Sequence, residues 1–201
     1  AAPWQRTSQA TGLPYASNAS ALPTLPQAAT SGLGLPVLSR SQWTRTGPIM
    51  NRLNAMDGVN RITVHHEGWT PVWFTSQGET ANRIESIRRA HVGKSWADVG
   101  YHYIIDRSGR IWQGRDVRYQ GAHVQENNEN NVGVMLLGNF EQQKPSSAQM
   151  VTVVDVLRAL MRQYKVPIKR VYPHRELKPT ICPGKSLQPQ MVKMRKGSAL
   201  A

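Results

Sequence analysis

The sequence predicts an α/β domain, a largely covered sheet with helices packed on its faces. Two short apolar runs, residues 60–66 and 131–137, have the length and composition of strands. Two longer segments, opening at Ser76 and Ser146, carry helix-start signals followed by a helical apolar period. The two kinds of segment alternate along the chain, as they do where helices connect the strands of one sheet.

Residues 1–38 form an arm. Arg6 is its sole charged residue, and Pro3, Pro14, Pro23, Pro26 and Pro36 interrupt any regular period. The arm reads as a linker or processed segment, and residues 39–201 as the folded domain. The first strand, residues 60–66, ends in His65 and His66. Residues 76–79, Ser-Gln-Gly-Glu, are a capping box for a helix reaching about His91, with Ile84, Ile87 and His91 on one face. There His91 packs rather than ligates. Residues 100–115 read as a hairpin turning at Gly109. Strand alternation puts Tyr101 and Tyr103 on one face and His102 on the other. Residues 131–137 are apolar on both faces, as in a central strand. Residues 146–149, Ser-Ser-Ala-Gln, open a second helix with Met150, Val153, Val154, Leu157, Leu160, Met161 and Tyr164 on one stripe. Near the end, Lys193, Arg195 and Lys196 make a modest basic cluster.

At 201 residues the chain has room for one substantial core. Its longest apolar run, residues 132–137, falls far short of the roughly 20 residues needed to span a bilayer. A single cysteine, Cys182, excludes an internal disulfide and says little about compartment. The chain shows no leader peptide, though Ala1, Ala2 and Pro3 suit a start left after one is removed. Lys and Arg number 25 against 12 Asp and Glu, a net charge of +13, and no acid precedes Asp57. Such a field attracts polyanions, anionic envelope polymers among them. The basic residues are scattered rather than interleaved with aromatics on one element, so nucleic acid is not an expected partner.

The chemistry concentrates in residues 172–187, Tyr-Pro-His-Arg-Glu-Leu-Lys-Pro-Thr-Ile-Cys-Pro-Gly-Lys-Ser-Leu. Pro179, Pro183 and Gly184 make this a fixed loop that can bring His174 and Cys182 to one point. Imidazole and thiolate both suit zinc. A third ligand is available from His65 or His66, of which only one can face a given site. Two histidines and a cysteine leave a fourth position open for water, the arrangement of catalytic zinc. Two other readings stand beside it: Cys182 as a small buried hydrophobe, and Cys182 as a nucleophile with His174 as its base.

The motifs, taken in order, resemble a known family. They are residues 38–43 (Leu-Ser-Arg-Ser-Gln-Trp), 64–66 (Val-His-His), 95–106 (Ser-Trp-Ala-Asp-Val-Gly-Tyr-His-Tyr-Ile-Ile-Asp), 114–115 (Gly-Arg) and 121–123 (Gly-Ala-His). Residues 131–140 (Asn-Val-Gly-Val-Met-Leu-Leu-Gly-Asn-Phe) follow, then His174 and Arg175, then Cys182, Pro183 and Gly184. In these the chain resembles the zinc-dependent N-acetylmuramoyl-L-alanine amidases of the peptidoglycan recognition protein type, which include phage endolysins. The match runs from about Ser39 to about Met194.

The resemblance implies a central mixed sheet flanked by helices, with Zn²⁺ at one end of a substrate groove. It places the metal ligands on His65, His174 and Cys182 and the catalytic tyrosine on Tyr101. His123 and Asn128 match groove positions that contact the muramyl-peptide; His66, Trp69 and His102 are the further substrate-side candidates. The chain departs from phage-type members in carrying Thr180 where they have a catalytic lysine; animal recognition proteins with amidase activity also use threonine there. Asn127 stands where the family has a tyrosine. The function implied is hydrolysis of the amide between N-acetylmuramic acid and L-alanine by a secreted or periplasmic monomer acting on peptidoglycan. The alternative is a module that binds peptidoglycan without cutting it, a state reached in the family by loss of the cysteine that this chain retains.

Overall fold

The computed structural model describes residues 29, 30 and 32–200. Among these, seven strands and three α-helices follow one another as β1 (Ala29–Thr30), β2 (Pro36–Leu38), β3 (Arg61–His66), α1 (Gln77–Gly93), β4 (Tyr103–Ile105), β5 (Ile111–Gln113), β6 (Asn131–Leu136), α2 (Ser147–Tyr164), β7 (Val171–Pro173) and α3 (Gln188–Lys196). The strands form one sheet in the order β1-β2-β5-β4-β6-β3-β7. It is mixed: β4, β6, β3 and β7 run parallel, β5 is antiparallel to β4, and β2 is parallel to β5. Parallel strands need crossovers, and α1 and α2 supply them on opposite faces.

Each face has its own core. On one, Ile84 and Ile87 of α1 pack with Val72, Ile104, Trp112, Met135 and Leu137. On the other, Val153, Val156, Leu157 and Leu160 of α2 and Met191 and Met194 of α3 pack with Ile62, Val64, Ile105, Val132, Val134 and Leu136. Covering both faces is why β6 is buried at every position and reads as a continuous apolar run. Both helix-start signals are realised. Ser76 accepts from the Glu79 amide, and Ser146 makes the full reciprocal capping box with Gln149. The hairpin turn is built on Asp106, whose carboxylate accepts from the Ser108 and Arg110 amides and the Trp112 indole, with Gly109 at φ +82°.

Three sequence expectations are corrected. First, the arm does not end at residue 38. Val37 pairs with Ile111, and Leu33 and Val37 are buried in the α2-side core, so residues 32–38 belong to the domain. Pro36 is tolerated there because β2 lies near the sheet edge and Pro36 opens the strand. Residues 1–28, the bulk of the arm, lie outside the described residues. Second, the modest basic cluster near the end is part of a helix, α3. Pro189 opens it, Met191 and Met194 bury one face, and Lys193, Arg195 and Lys196 occupy its last turn, where cations suit the helix dipole. Third, Tyr101 and Tyr103 lie on opposite faces. Tyr103 belongs to the α2-side core and Tyr101 packs on the α1 side. The carbonyls of consecutive residues Tyr101 and His102 accept from Arg115 and Gly114 respectively, so the ladder is irregular and alternation fails before β4 begins. The close approach needs Gly114, whose Cβ would lie 2.3 Å from the Tyr101 carbonyl oxygen.

Candidate metal centre and substrate cleft

β3 delivers His65 at the C-terminal end of a central strand, where the crevice of an open α/β sheet forms. The chain leaving β7 delivers His174 at the start of a short 3-10 helix, and the following loop returns Cys182. One ligand atom from each of His65, His174 and Cys182 lies within 4.8 Å of the others. The loop is held shut by the Arg175 amide on the Cys182 carbonyl at 3.1 Å and by the Arg175 guanidinium on the Ile181 carbonyl.

The spacing of His65 and Cys182 fits tetrahedral zinc. Bond lengths of about 2.05 Å to nitrogen and about 2.3 Å to sulfur put two such ligand atoms about 3.6 Å apart at the tetrahedral angle. His65 Nδ1 and Cys182 Sγ are 3.6 Å apart. The two imidazoles are in a suitable state as well. Burial, with the neighbouring His123, His174 and His66, holds His65 well below the usual imidazole range, and burial lowers His174, so both are neutral near pH 7. Burial pushes the Cys182 thiol up to about 12 in the metal-free protein. Its Sγ lies 4.0 Å from the His66 carbonyl oxygen, a weak acceptor contact that a metal would replace.

His66 points to the other side of β3 from His65, as strand alternation requires. It is buried, and its Nδ1 accepts from the Phe140 amide at 3.0 Å. The Phe140 turn in turn carries the cysteine loop: the Ser186 amide donates to the Phe140 carbonyl and the Lys185 amide to Glu141. His66 therefore braces the loop that carries Cys182. His102, the other substrate-side candidate on this sheet, is turned inward. It is 1 % exposed, its Nδ1 accepts from the Gly133 amide and its Nε2 donates to the Tyr119 carbonyl, so neither nitrogen is left for a ligand. His91 does pack, as the sequence predicts, between Trp96 and Tyr101, and it accepts from the Gly100 amide.

Tyr101 lies beside the centre, its ring centroid 5.2 Å from that of His65. Its hydroxyl makes no hydrogen bond to another described residue. Burial raises its pKa, and the charges of Cys182 and Glu67 raise it further, so the phenol keeps its proton. A cleft of about 430 Å³ opens next to His174. One wall carries Trp96, His123, Gln125 and Asn128; the other carries Lys178, Pro179 and Thr180. Asn128 shapes its wall, its Oδ1 accepting from the His123 and Val124 amides. Asn127 turns away to accept from Arg61. The Thr180 Oγ1 accepts from the Cys182 amide at 3.2 Å, which leaves its hydroxyl proton free. His123 borders the cleft, but its ring is turned inward, with Nδ1 3.0 Å from His65 Nε2 and Nε2 3.0 Å from the Asn131 carbonyl. Trp69 stands exposed past the end of β3 under the Arg83 guanidinium.

Two residues near the centre escaped sequence reasoning. Lys178 reaches across the cleft mouth to Glu126 at 3.3 Å. Glu67, paired with Arg83, has its carboxyl pushed up to about 7 by burial. Its signal was available, since strand alternation puts residue 67 on the face of His65.

A profile of the N-acetylmuramoyl-L-alanine amidase family matches residues 55–185, and the chain belongs to that family. It is 26% identical over 157 residues to peptidoglycan-recognition protein SC2 of Drosophila melanogaster, covering 77% of this chain and 84% of that one. It is 34% identical over 110 residues to the endolysin of Escherichia phage T7, covering 52% of this chain and 72% of the endolysin. Among solved structures, the amidase LysC from Clostridium intestinale superposes with a TM-score of 0.65 at 22% identity, covering 80% of this chain and 96% of that one, a likeness of fold.

Proposed function

We propose that the protein is a zinc-dependent hydrolase that cuts the amide between N-acetylmuramic acid and L-alanine in peptidoglycan. The observation that carries this reading is the convergence of His65, His174 and Cys182 within 4.8 Å of one another, with His65 and Cys182 at tetrahedral spacing, next to a cleft and beside a protonated Tyr101. Zinc held by these three residues supplies Lewis-acid polarisation of the amide carbonyl and a water of lowered pKa. The chain's own groups do the rest. The cleft walls hold the muramyl-peptide with its scissile amide at the centre. The Tyr101 hydroxyl donates to the oxygen that gains charge as the amide is attacked. The Thr180 hydroxyl, its oxygen already accepting from the Cys182 amide, can donate a hydrogen bond into the cleft, and the proton the departing amine gains comes ultimately from the attacking water. The thiol is committed as a ligand, which argues against the nucleophile reading of Cys182. Among the described residues no helix is long and apolar enough to cross a membrane; with a cell-wall substrate, we place the protein's action in the envelope or outside the cell. The +13 charge favours adsorption to anionic wall polymers as a monomer.

Metal analysis of the purified protein tests the reading. About one zinc per chain is expected, with peptidoglycan hydrolysis lost on chelation and restored by zinc. Cys182→Ala should lose both tight zinc binding and activity. Full activity in the metal-free variant would overturn the mechanism.

A further inference from the structure

A chain of three groups runs from the sheet interior to the metal centre, and its proton positions follow from one carbonyl. His123 Nε2 lies 3.0 Å from the Asn131 carbonyl oxygen. A carbonyl only accepts, so Nε2 carries the proton. In a neutral imidazole one ring nitrogen carries the proton and the other accepts, so with His123 protonated at Nε2 its Nδ1 is the acceptor. Its Nδ1 then has only a lone pair to present to His65 Nε2 at 3.0 Å. His65 must be the donor in that contact, which leaves His65 Nδ1 bare on the side of Cys182 Sγ. The reverse arrangement would set two lone pairs against each other at Asn131 and put a proton on the atom that faces the other ligands.

The chain is built to be rigid. Asn131 is fully buried; its Oδ1 accepts from Thr63 and its Nδ2 donates to the Asn127 carbonyl. The His123 ring is boxed in by two glycines. A Cβ at Gly121 would lie 2.3 Å from its Cδ2, and one at Gly133 would lie 2.7 Å from the same atom. The ring also stands edge-on to His65, with centroids 4.9 Å apart at 82°. Nothing in this arrangement is needed to line a cleft.

We propose that His123 is a positioning residue that fixes the tautomer and orientation of the ligand His65, with the Asn131 carbonyl as the fixed end of the relay. The proposal rests on the reading of His65, His174 and Cys182 as metal ligands. Partners of this kind are worth about 10–100-fold in metal affinity. It adds a role that substrate contact would not give: an effect on metal binding in the absence of any substrate.

The direct test is nitrogen NMR of the histidine side chains in the zinc-loaded and metal-free wild-type protein. His65 should be protonated at Nε2 and His123 at Nε2, with a two-bond nitrogen–nitrogen coupling between His65 Nε2 and His123 Nδ1. A proton on His65 Nδ1, or on His123 Nδ1, overturns the proposal whether or not the protein hydrolyses peptidoglycan. Zinc affinity, measured by competition with a chromophoric chelator, is the second arm. His123→Leu should weaken it by about 10–100-fold. His123→Asn, which keeps an acceptor near the position of Nδ1, should recover most of the loss. Equal affinities for the folded Leu variant and wild type, or equal losses for Leu and Asn, would reduce His123 to packing. If the Leu variant does not fold, the wild-type spectrum decides alone. A correct relay in a protein that cuts no peptidoglycan would count against the proposed function and leave the relay standing.

Discussion

Removal of one oxygen atom, in Tyr101→Phe, separates chemistry from packing at the centre. The ring sits 5.2 Å from His65, 5.8 Å from His91 and 6.3 Å from His123, and phenylalanine keeps all three contacts. The hydroxyl has no hydrogen-bond partner among the described residues to leave unsatisfied, so stability and zinc content should hold. If the phenol donates to charge that develops only in the transition state, its loss costs about 10²–10³ in kcat, or about 2.7–4 kcal/mol, with KM little changed. Initial rates of amine release from soluble peptidoglycan fragments measure both constants. Tyr103→Phe is the control, since Tyr103 lies on the opposite face of the sheet in the α2-side core. Equal small effects from the two substitutions would refute the donor role of Tyr101. Thr180 and Lys178 would then be the next candidates to test.

Other expectations follow from packing and charge. Gly133→Ala puts a methyl 2.7 Å from the His123 ring and should cost about 1–3 kcal/mol by denaturant titration, whereas Gly78→Ala, with open space around it on α1, should be neutral or add up to about 1 kcal/mol. His66→Ala leaves the buried Phe140 amide without its acceptor; a loss of about 1–3 kcal/mol by denaturant titration is expected, and unchanged stability would refute the bracing role. Glu85 is held down to about 2 by hydrogen bonds from Arg88 and Arg89. Its folded pKa lies below its unfolded one, so its contribution is present above about pH 4.5 and is lost as pH falls towards 2. Glu85→Gln should therefore lower Tm at pH 7 by the equivalent of no more than about 1 kcal/mol, and the gap from wild type should close across that acid window.

Periodicity and capping carried most of the fold. Ser76 and Ser146 announce their helices because a short hydroxyl side chain three residues before Glu or Gln has a local reason to be there. What escaped were features decided by distant partners. Nothing near Val37 says that it will pair with Ile111, 74 residues on. Alternation failed at Tyr101 because Gly114 lets two consecutive carbonyls meet the facing strand, and one sequence alone does not reveal a bulge. At the centre, the ligand types and loop were legible from His174, Cys182 and the strand ending in His65. The supporting histidines were not. His66, His102 and His123 look like site residues, and only the partners of their ring nitrogens, Phe140, Gly133 with Tyr119, and Asn131 with His65, show them turned inward.

Digestion of purified peptidoglycan, with new amino groups and new reducing ends counted in the same sample, tests the central claim most directly. The zinc-loaded protein should expose new N-terminal alanine amino groups in step with loss of turbidity, create no reducing ends, and stop on chelation. Reducing ends without new amines, or new alanine amino groups that keep appearing after the metal is removed, would contradict the account.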